Sequence, residues 1–186
     1  MNNNHFYTSE RSVQILISLL KQHGIKKVVA SPGTTNITLV ASLQQDDWFN
    51  MYSSVDERSA AYIACGMAAE SGEPVVLTCT GATASRNYLP GLTEAYYRKL
   101  PVLVVTFAPD RNEIGHLLPQ MLDRQIVPKD VATLSEYVVA CRNRMDEWDC
   151  EVRINRTILA LRRHGGGPAH LNMTRGYSPD FSVREL

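Results

Sequence analysis

A single carboxylate, Glu57, stands where a short apolar segment passes into an alanine-rich one. Two other segments of this kind follow predicted strands, residues 31–36 (Ser-Pro-Gly-Thr-Thr-Asn) and residues 80–83 (Thr-Gly-Ala-Thr). The carboxyl ends of parallel strands share one edge of an open sheet, and ligand crevices form at that edge. We therefore expect the three loops to meet. The pattern predicts a ligand site with one acid among small hydroxyl and glycine residues.

The elements that must position this site alternate along the chain. Strands are predicted at residues 27–30, 49–53, 74–80, 101–107, 137–140 and 169–173, and helices at residues 9–23, 37–43, 57–71, 87–98 and 147–164. Residues 108–130 are predicted to be mostly loop, with one helical turn near 117–122. This alternation, with most strands apolar on both faces, predicts a doubly wound α/β fold: a mainly parallel sheet with helices on both faces. Residues 1–173 form the predicted domain, and residues 174–186 a tail or linker.

Composition excludes several classes of function. The 186 residues include 19 basic and 19 acidic side chains, so no field of one sign attracts nucleic acid or an anionic membrane. No apolar run reaches membrane-spanning length, and the first residues lack a signal-peptide pattern. The four cysteines contain no Cys-x-x-Cys pair, so neither a zinc site nor a redox dithiol is predicted. We expect a reduced, cytoplasmic protein without metal ligands of its own.

The motif residues also allow purely structural interpretations. Ser54 and Glu57 have capping-box spacing, and an acid in a first helical turn suits the helix dipole. Residues 31–36 fit either a strand-to-helix turn capped by Thr34 or Thr35, or a ligand loop that offers backbone N–H groups. The phosphate-loop and dinucleotide glycine patterns are absent. The small residues of helix 57–71 let another helix approach closely, and they permit tight packing under the sheet or against a second subunit.

In combination, these segments resemble the pyrimidine-binding domain of thiamine-diphosphate-dependent enzymes over residues 13–173. The resemblance is strongest to the menaquinone-pathway synthases that join 2-oxoglutarate to isochorismate, and then to acetolactate synthase-like enzymes. The matching segments are residues 30–33 (Ala-Ser-Pro-Gly), 55–62 (Val-Asp-Glu-Arg-Ser-Ala-Ala-Tyr), 66–68 (Gly-Met-Ala), 79–81 (Cys-Thr-Gly), 87–90 (Asn-Tyr-Leu-Pro), 94–95 (Glu-Ala) and 100–106 (Leu-Pro-Val-Leu-Val-Val-Thr). Their order and spacing make the resemblance specific, and it implies the thiamine-diphosphate-binding fold.

The resemblance assigns roles to individual residues. Glu57 matches the glutamate that contacts N1′ of the cofactor's aminopyrimidine ring, where burial favours a neutral carboxyl group that can donate a hydrogen bond. That bond favours the 4′-imino form, and the activated cofactor serves as an electron sink when a 2-oxo acid loses carbon dioxide. The other residues implied at the cofactor are Pro32, Gly33, Thr80, Gly81, Asn87 and Gln120. Gln120 also faces the substrate, which Ser31 and Thr34 border.

The resemblance also implies a partner. Enzymes of this family hold the cofactor's diphosphate through Mg²⁺ bound by a Gly-Asp-Gly motif and a later Asn on a second α/β domain, and this chain contains no Gly-Asp pair. We expect the pyrimidine-binding half of a carboligase or decarboxylase, homodimeric through helix 57–71 and inactive alone. It is either a subunit of a split enzyme or a fragment of a longer one. The alternative is a non-catalytic relic that binds or regulates a partner, with Glu57 as a cap only.

Overall fold

A computed structural model describes residues 6–81, 83–123, 128–174, 176, 178 and 180–186. Helices and strands alternate through these residues, as expected for an α/β domain. The helices are α1 Arg11–Gln22, α2 Ile37–Gln44, α3 Glu57–Ser71, α4 Leu89–Tyr97 and α5 Arg144–Ala160. The strands are β1 Lys27–Ala30, β2 Asn50–Ser53, β3 Val75–Thr80, β4 Val102–Ala108, β5 Leu134–Val138 and β6 Ala169–Thr174.

The strands form one parallel sheet in the order β2-β1-β3-β4-β6-β5. The chain leaves β1 towards β2 on one side and returns to β3 on the other side, so the direction of winding reverses between β1 and β3. In sheets of this type, ligands bind in the crevice at the carboxyl ends of the strands where the winding reverses. The loops that contain Gly33 and Gly81 follow these two strands.

Two hydrophobic clusters cover opposite faces of the sheet, and neighbouring strand residues point alternately into each. Leu103 belongs to the cluster that α1, α2 and α5 cover, whereas Val104 belongs to the cluster that α3 and α4 cover. The same alternation separates Val76 from Leu77. Burial on both faces requires near-continuous apolar strands, which is the sequence pattern from which they were predicted. The doubly wound α/β prediction is therefore confirmed.

The helical turn predicted near residues 117–122 is wrong. Residues 114–123 form no helix, and the backbone of Leu117 and Gln120 has positive φ angles of 58° and 59°. A 3₁₀ turn lies earlier instead, at Arg111–Glu113, where the Asp110 side chain accepts a hydrogen bond from the Arg111 N–H. A local side-chain acceptor thus starts a turn that apolar periodicity could not reveal.

The ends of several other elements also differ from the predictions. α5 begins at Arg144, because Asn143 Oδ1 accepts hydrogen bonds from the N–H groups of Met145 and Asp146 at 2.9 and 3.0 Å. The sequence prediction placed this start at residue 147 and passed over that cap. β5 lies three residues earlier than predicted at its start, and α4 is preceded by a 3₁₀ turn at Ala84–Tyr88.

The described part of the predicted tail packs against the beginning of the chain. Tyr7 and Val183 form an antiparallel bridge with hydrogen bonds in both directions, and the Ser9 N–H donates to the Asp180 carbonyl. The Glu10 carboxylate accepts a hydrogen bond from the Ser178 N–H at 3.2 Å. The division at residue 174 stays a prediction. Nowhere in the described ranges is a helix both long and apolar enough to cross a membrane.

Candidate functional site

The first and third loops meet at the carboxyl edge of the sheet. A Cβ atom added to Gly33 would collide with the methyl group of Thr80, and the Gly81 N–H donates to the hydroxyl oxygen of Thr35 at 3.4 Å. Asn36 is fully buried and holds the first loop in shape. Its side-chain oxygen accepts from the Gly33 N–H at 2.8 Å, and its amide donates to a carbonyl of the same loop. Sequence analysis assigned no role to Asn36.

Glu57 reaches this edge from the second loop. It is the first residue of α3 and is half-buried. Its Oε2 atom accepts a hydrogen bond from the Asn87 side-chain amide at 3.1 Å. The carboxylate therefore points towards the third loop and away from the backbone of its own helix. Through this hydrogen bond the second loop contacts the 3₁₀ turn Ala84–Tyr88, which follows the third loop.

The capping interpretation of Glu57 is wrong, because Asp56 caps α3. The Asp56 carboxylate accepts hydrogen bonds from the Ser59 N–H at 2.8 Å and from the Ser59 hydroxyl at 2.6 Å. These bonds lower the pKa of Asp56 below its ordinary value. The Ser54 hydroxyl donates instead to the Asp56 carbonyl at 3.1 Å, and the Ser54 N–H donates to the Ala30 carbonyl, which extends the pairing of β2 with β1. The Glu57 carboxylate is therefore not used to cap α3.

Tyr88 and Ser31 form a buried polar floor under the three loops. Tyr88 is 0% exposed and Ser31 is 3% exposed. Neither hydroxyl makes a hydrogen bond of standard distance and angle among the described residues, although the two lie close enough to affect each other. Burial raises the pKa of Tyr88 far above its ordinary value; the Cys79 thiol and the Glu57 carboxylate act in the same direction, and the Ser31 hydroxyl opposes them. Tyr88 is therefore close to all three loops, a position that its place in an apolar run did not reveal.

The small residues of α3 allow α4 to pack closely beneath the site. A Cβ atom on Gly91 would meet the Ala61 methyl carbon at 2.6 Å, and the Cys65 thiol donates to the Gly91 carbonyl at 3.2 Å. Of the two interpretations of this helix, packing within the chain is therefore confirmed for one face. Its other face exposes Tyr62 and Ile63, at 49% and 44%.

The remaining predicted site residues lie at the rim. Pro32, Thr34 and Gln120 are exposed. Gln120 has no hydrogen bond to another predicted site residue among the described parts of the chain. Thr34 begins a 3₁₀ turn without a side-chain cap bond, so neither it nor Thr35 is the cap of that turn. The structure thus brings Gly33, Thr80 and Gly81 together beside the Glu57–Asn87 pair, and their roles towards a ligand stay predictions.

An open parallel sheet with glycine turns and one carboxylate at its winding reversal defines a ligand-binding α/β domain. The chain belongs to the family described as "Thiamine pyrophosphate enzyme, N-terminal TPP binding domain", whose model matches residues 11–127. The resemblance inferred from the sequence motifs is confirmed.

Curated relatives bear the name 2-succinyl-5-enolpyruvyl-6-hydroxy-3-cyclohexene-1-carboxylate synthase. The synthase of Bacteroides thetaiotaomicron is 35% identical over 167 residues, covering 90% of this chain and 30% of the relative. That of Lysinibacillus sphaericus is 41% identical over 163 residues, covering 85% of this chain and 28% of the relative. The chain therefore spans about a third of the length of the relatives it matches.

A solved structure agrees with the fold. The thiamine diphosphate-dependent 4-hydroxybenzoylformate decarboxylase of Rhodococcus jostii superposes with a TM-score of 0.75 at 20% identity, covering 94% of this chain and 31% of that enzyme. At this identity the comparison supports the fold alone.

The residues at the edge fit the pyrimidine half of the cofactor. The Glu57 carboxylate, which Asn87 holds towards the third loop, is of a type that could hydrogen-bond a ring nitrogen. Within the described ranges, no three His, Cys, Asp or Glu side chains are grouped to hold a metal ion.

Proposed function

We propose that this chain is the pyrimidine-binding half of a thiamine-diphosphate-dependent carboligase or decarboxylase that acts on a 2-oxo acid. A second domain or chain supplies the diphosphate site and Mg²⁺. The observation that carries the proposal is the position of Glu57. Its carboxylate accepts from Asn87 at the winding reversal of the sheet, while Asp56 performs the capping.

Each residue of the edge has a physical task in this proposal. Glu57 hydrogen-bonds the N1′ atom of the aminopyrimidine ring, and Asn87 fixes the direction of the carboxyl group. Gly33 lets the first loop pack against Thr80, and Gly81 lets the third loop pack against β4. With Pro32 and Thr80, the backbone of these two turns lines the ring. When bound, the cofactor supplies an electron sink for the carbanion left by decarboxylation.

The substrate lies towards the outer rim of the same edge. Ser31 and Thr34 border it, and Gln120 faces both cofactor and substrate. The names of the relatives favour a synthase, and we take the substrate class to be a 2-oxo acid. The exposed position of Gln120 in this chain requires that another surface complete the substrate pocket.

The partner provides what this chain lacks. It carries a Gly-Asp-Gly motif and a downstream Asn that bind Mg²⁺ and the diphosphate. Two copies of the chain associate through the exposed face of α3, where Tyr62 and Ile63 lie. Without the partner, no group neutralises the negative charge of the cofactor's phosphates, and the chain alone is inactive.

The test combines co-purification with an activity assay. The full chain is co-expressed with candidate chains that carry Gly-Asp-Gly, and the complex is assayed for 2-oxo acid decarboxylation with thiamine diphosphate and Mg²⁺. Glu57→Gln keeps an oxygen that can accept from Asn87 but cannot exchange a proton with the ring, so we expect turnover to fall roughly 10²–10⁴-fold.

The matched control is Glu70→Gln, the same substitution on the exposed side of α3. It should leave turnover unchanged. Equal turnover in an active complex of wild type, Glu57→Gln and Glu70→Gln would refute the role of Glu57, whereas no turnover with any candidate chain would support the non-catalytic alternative.

A further inference from the structure

The outer face of α5 carries an exposed apolar stripe. Met145, Trp148 and Val152 are 68%, 61% and 42% exposed. They are spaced three and four residues apart, so they lie along one face of the helix. α5 packs against the sheet through a different face, which contains the buried residues Ile154 and Ile158. A surface helix of a globular protein typically has one apolar face, and α5 has two.

Two charged side chains border this stripe. Arg144 and Glu151 are exposed, and both line the cavity between α1 and α5 to which Trp148 also belongs, so they lie on the same flank of the stripe. Glu147 lies between them and pairs with Arg11, whose Nε atom is 3.3 Å from Glu147 Oε2. Among the residues that the structure describes, neither Arg144 nor Glu151 takes part in an ion pair. The flank therefore offers one positive and one negative charge that are about 10 Å apart along the helix axis.

This pattern matches the seam of a two-stranded coiled coil. In such a seam apolar residues recur at intervals of three and four, and charged residues beside the seam form ion pairs between the helices. Arg144 and Glu151 lie on one flank, before and after Trp148 along the helix. An antiparallel second α5, related by a two-fold axis next to Trp148, places its Glu151 opposite Arg144 and its Arg144 opposite Glu151. In a parallel pair the same charges would stand at the same height, so the charges select the antiparallel arrangement.

We propose that this stripe is an interaction surface for a second copy of the chain, which binds through an antiparallel pairing of two α5 helices. The two Trp148 side chains meet at the two-fold axis, and Met145 of each copy packs against Val152 of the other. Two ion pairs between Arg144 and Glu151 close the flank. A two-fold contact is self-complementary, so a surface that carries the stripe and both charges needs no other partner.

The contact is small, and this determines its strength. Three apolar side chains on each copy bury less area than a standard interface, so we expect weak association that depends on concentration. Trp148 should dominate the affinity, because aromatic anchors at the centre of an interface contribute most, whereas the ion pairs fix the orientation. The contact is separate from the exposed face of α3. It is also independent of the proposed function, since none of its residues belongs to the cofactor edge.

Sedimentation velocity of the full chain over a concentration series measures this association. We expect the mass of the wild-type assembly to double as concentration rises, and Trp148→Glu to raise the dissociation constant about 30-fold. Association through α3 would multiply both masses equally, so it does not affect the comparison. Circular dichroism checks that the variant folds. Equal masses for wild type and Trp148→Glu at every concentration would overturn the proposal.

Charge reversal tests the antiparallel geometry. Arg144→Glu alone and Glu151→Arg alone place like charges opposite each other, and each should raise the dissociation constant about 10-fold. The two substitutions together restore opposite charges and should return the constant to near its wild-type value. Arg162→Glu is the matched control, because it reverses an exposed charge beyond the end of α5, and it should have no effect. Single variants that associate as wild type does, or a double variant no tighter than the single ones, would refute the pairing.

Discussion

Replacing Gly81 by alanine places a methyl group where β4 leaves no room. The added Cβ atom would overlap the Phe107 carbonyl oxygen, with the carbonyl carbon at 2.8 Å and the Ala108 Cα atom at 3.1 Å. These are backbone atoms of a strand paired on both sides, so no side chain can rotate to relieve the overlap. The loop itself must move outward, and with it the segment that carries Asn87.

The expected magnitude follows from this geometry. Inserting a methyl group into a packed region costs about 1–3 kcal/mol, and an immobile backbone neighbour favours the upper end of that range. Gly81 is not among the glycines with positive φ, so the effect is one of steric exclusion and not of backbone strain. We expect Gly81→Ala to lower the free energy of unfolding by about 3 kcal/mol.

Gly66→Ala is the matched control, because it is the same chemical change in α3 with no heavy atom within 4 Å of the added Cβ. There alanine should raise the free energy of unfolding by about 0.5–1 kcal/mol, since it reduces the flexibility of the unfolded chain and suits a helix. Urea denaturation followed by circular dichroism measures both variants. If the two variants changed stability in the same direction, the proposed contact between the third loop and β4 would be refuted.

Three further predictions concern a buried ion pair, the polar floor and the cofactor. Asp46, 3% exposed, accepts from Lys21 at 2.5 Å and from the Tyr7 hydroxyl at 2.7 Å, so Asp46→Asn should cost about 2–3 kcal/mol while exposed Asp47→Asn costs almost nothing. Burial would raise the pKa of Asp46, but the hydrogen bonds from Lys21 and Tyr7 outweigh it and lower the pKa. The stabilisation that the Asp46 carboxylate contributes is therefore present above the unfolded pKa of about 4 and is lost as pH falls through the lower folded pKa. Urea denaturation at several pH values measures this loss. Tyr88→Phe removes a buried hydroxyl that makes no hydrogen bond of standard geometry and should change the free energy of unfolding by about zero to +1 kcal/mol, whereas Tyr7→Phe should lower it by about 1 kcal/mol. A large loss for Tyr88→Phe would show that its hydroxyl is bonded. Isothermal titration of the isolated chain with thiamine diphosphate should give weak binding that Mg²⁺ does not strengthen, and tight magnesium-dependent binding would contradict the need for a partner.

The fold was predictable because two strong constraints act on the same residues. Strands buried on both faces must be apolar at consecutive positions, as Leu103 and Val104 are, and this distinguishes them from the helices between them. Gly72 adopts a positive φ of 67° and ends α3 where the sequence predicted. Because parallel strands share their carboxyl edge, the sequence also predicted that the three loops lie together.

Other features depended on contacts that local sequence does not encode. Ser54 and Asp56 are both residue types that cap helices; the structure uses Asp56, while the Ser54 N–H bonds to Ala30 on a neighbouring strand. Tyr88 is part of the site because the third loop folds back under Glu57. These contacts link segments that are distant along the chain, so periodicity and motif spacing carry no signal for them.

The exposure of the site indicates what the partner must do. Glu57 is only half-buried in this chain. Beside it, the apolar Val55 is 90% exposed. A surface that supplies the diphosphate site must approach the same edge, because the two halves of one cofactor are joined by a short covalent bridge. That surface would cover Val55 and Glu57 together, so the contact that completes the cofactor site would also remove water from the carboxyl group on which the proposed function depends.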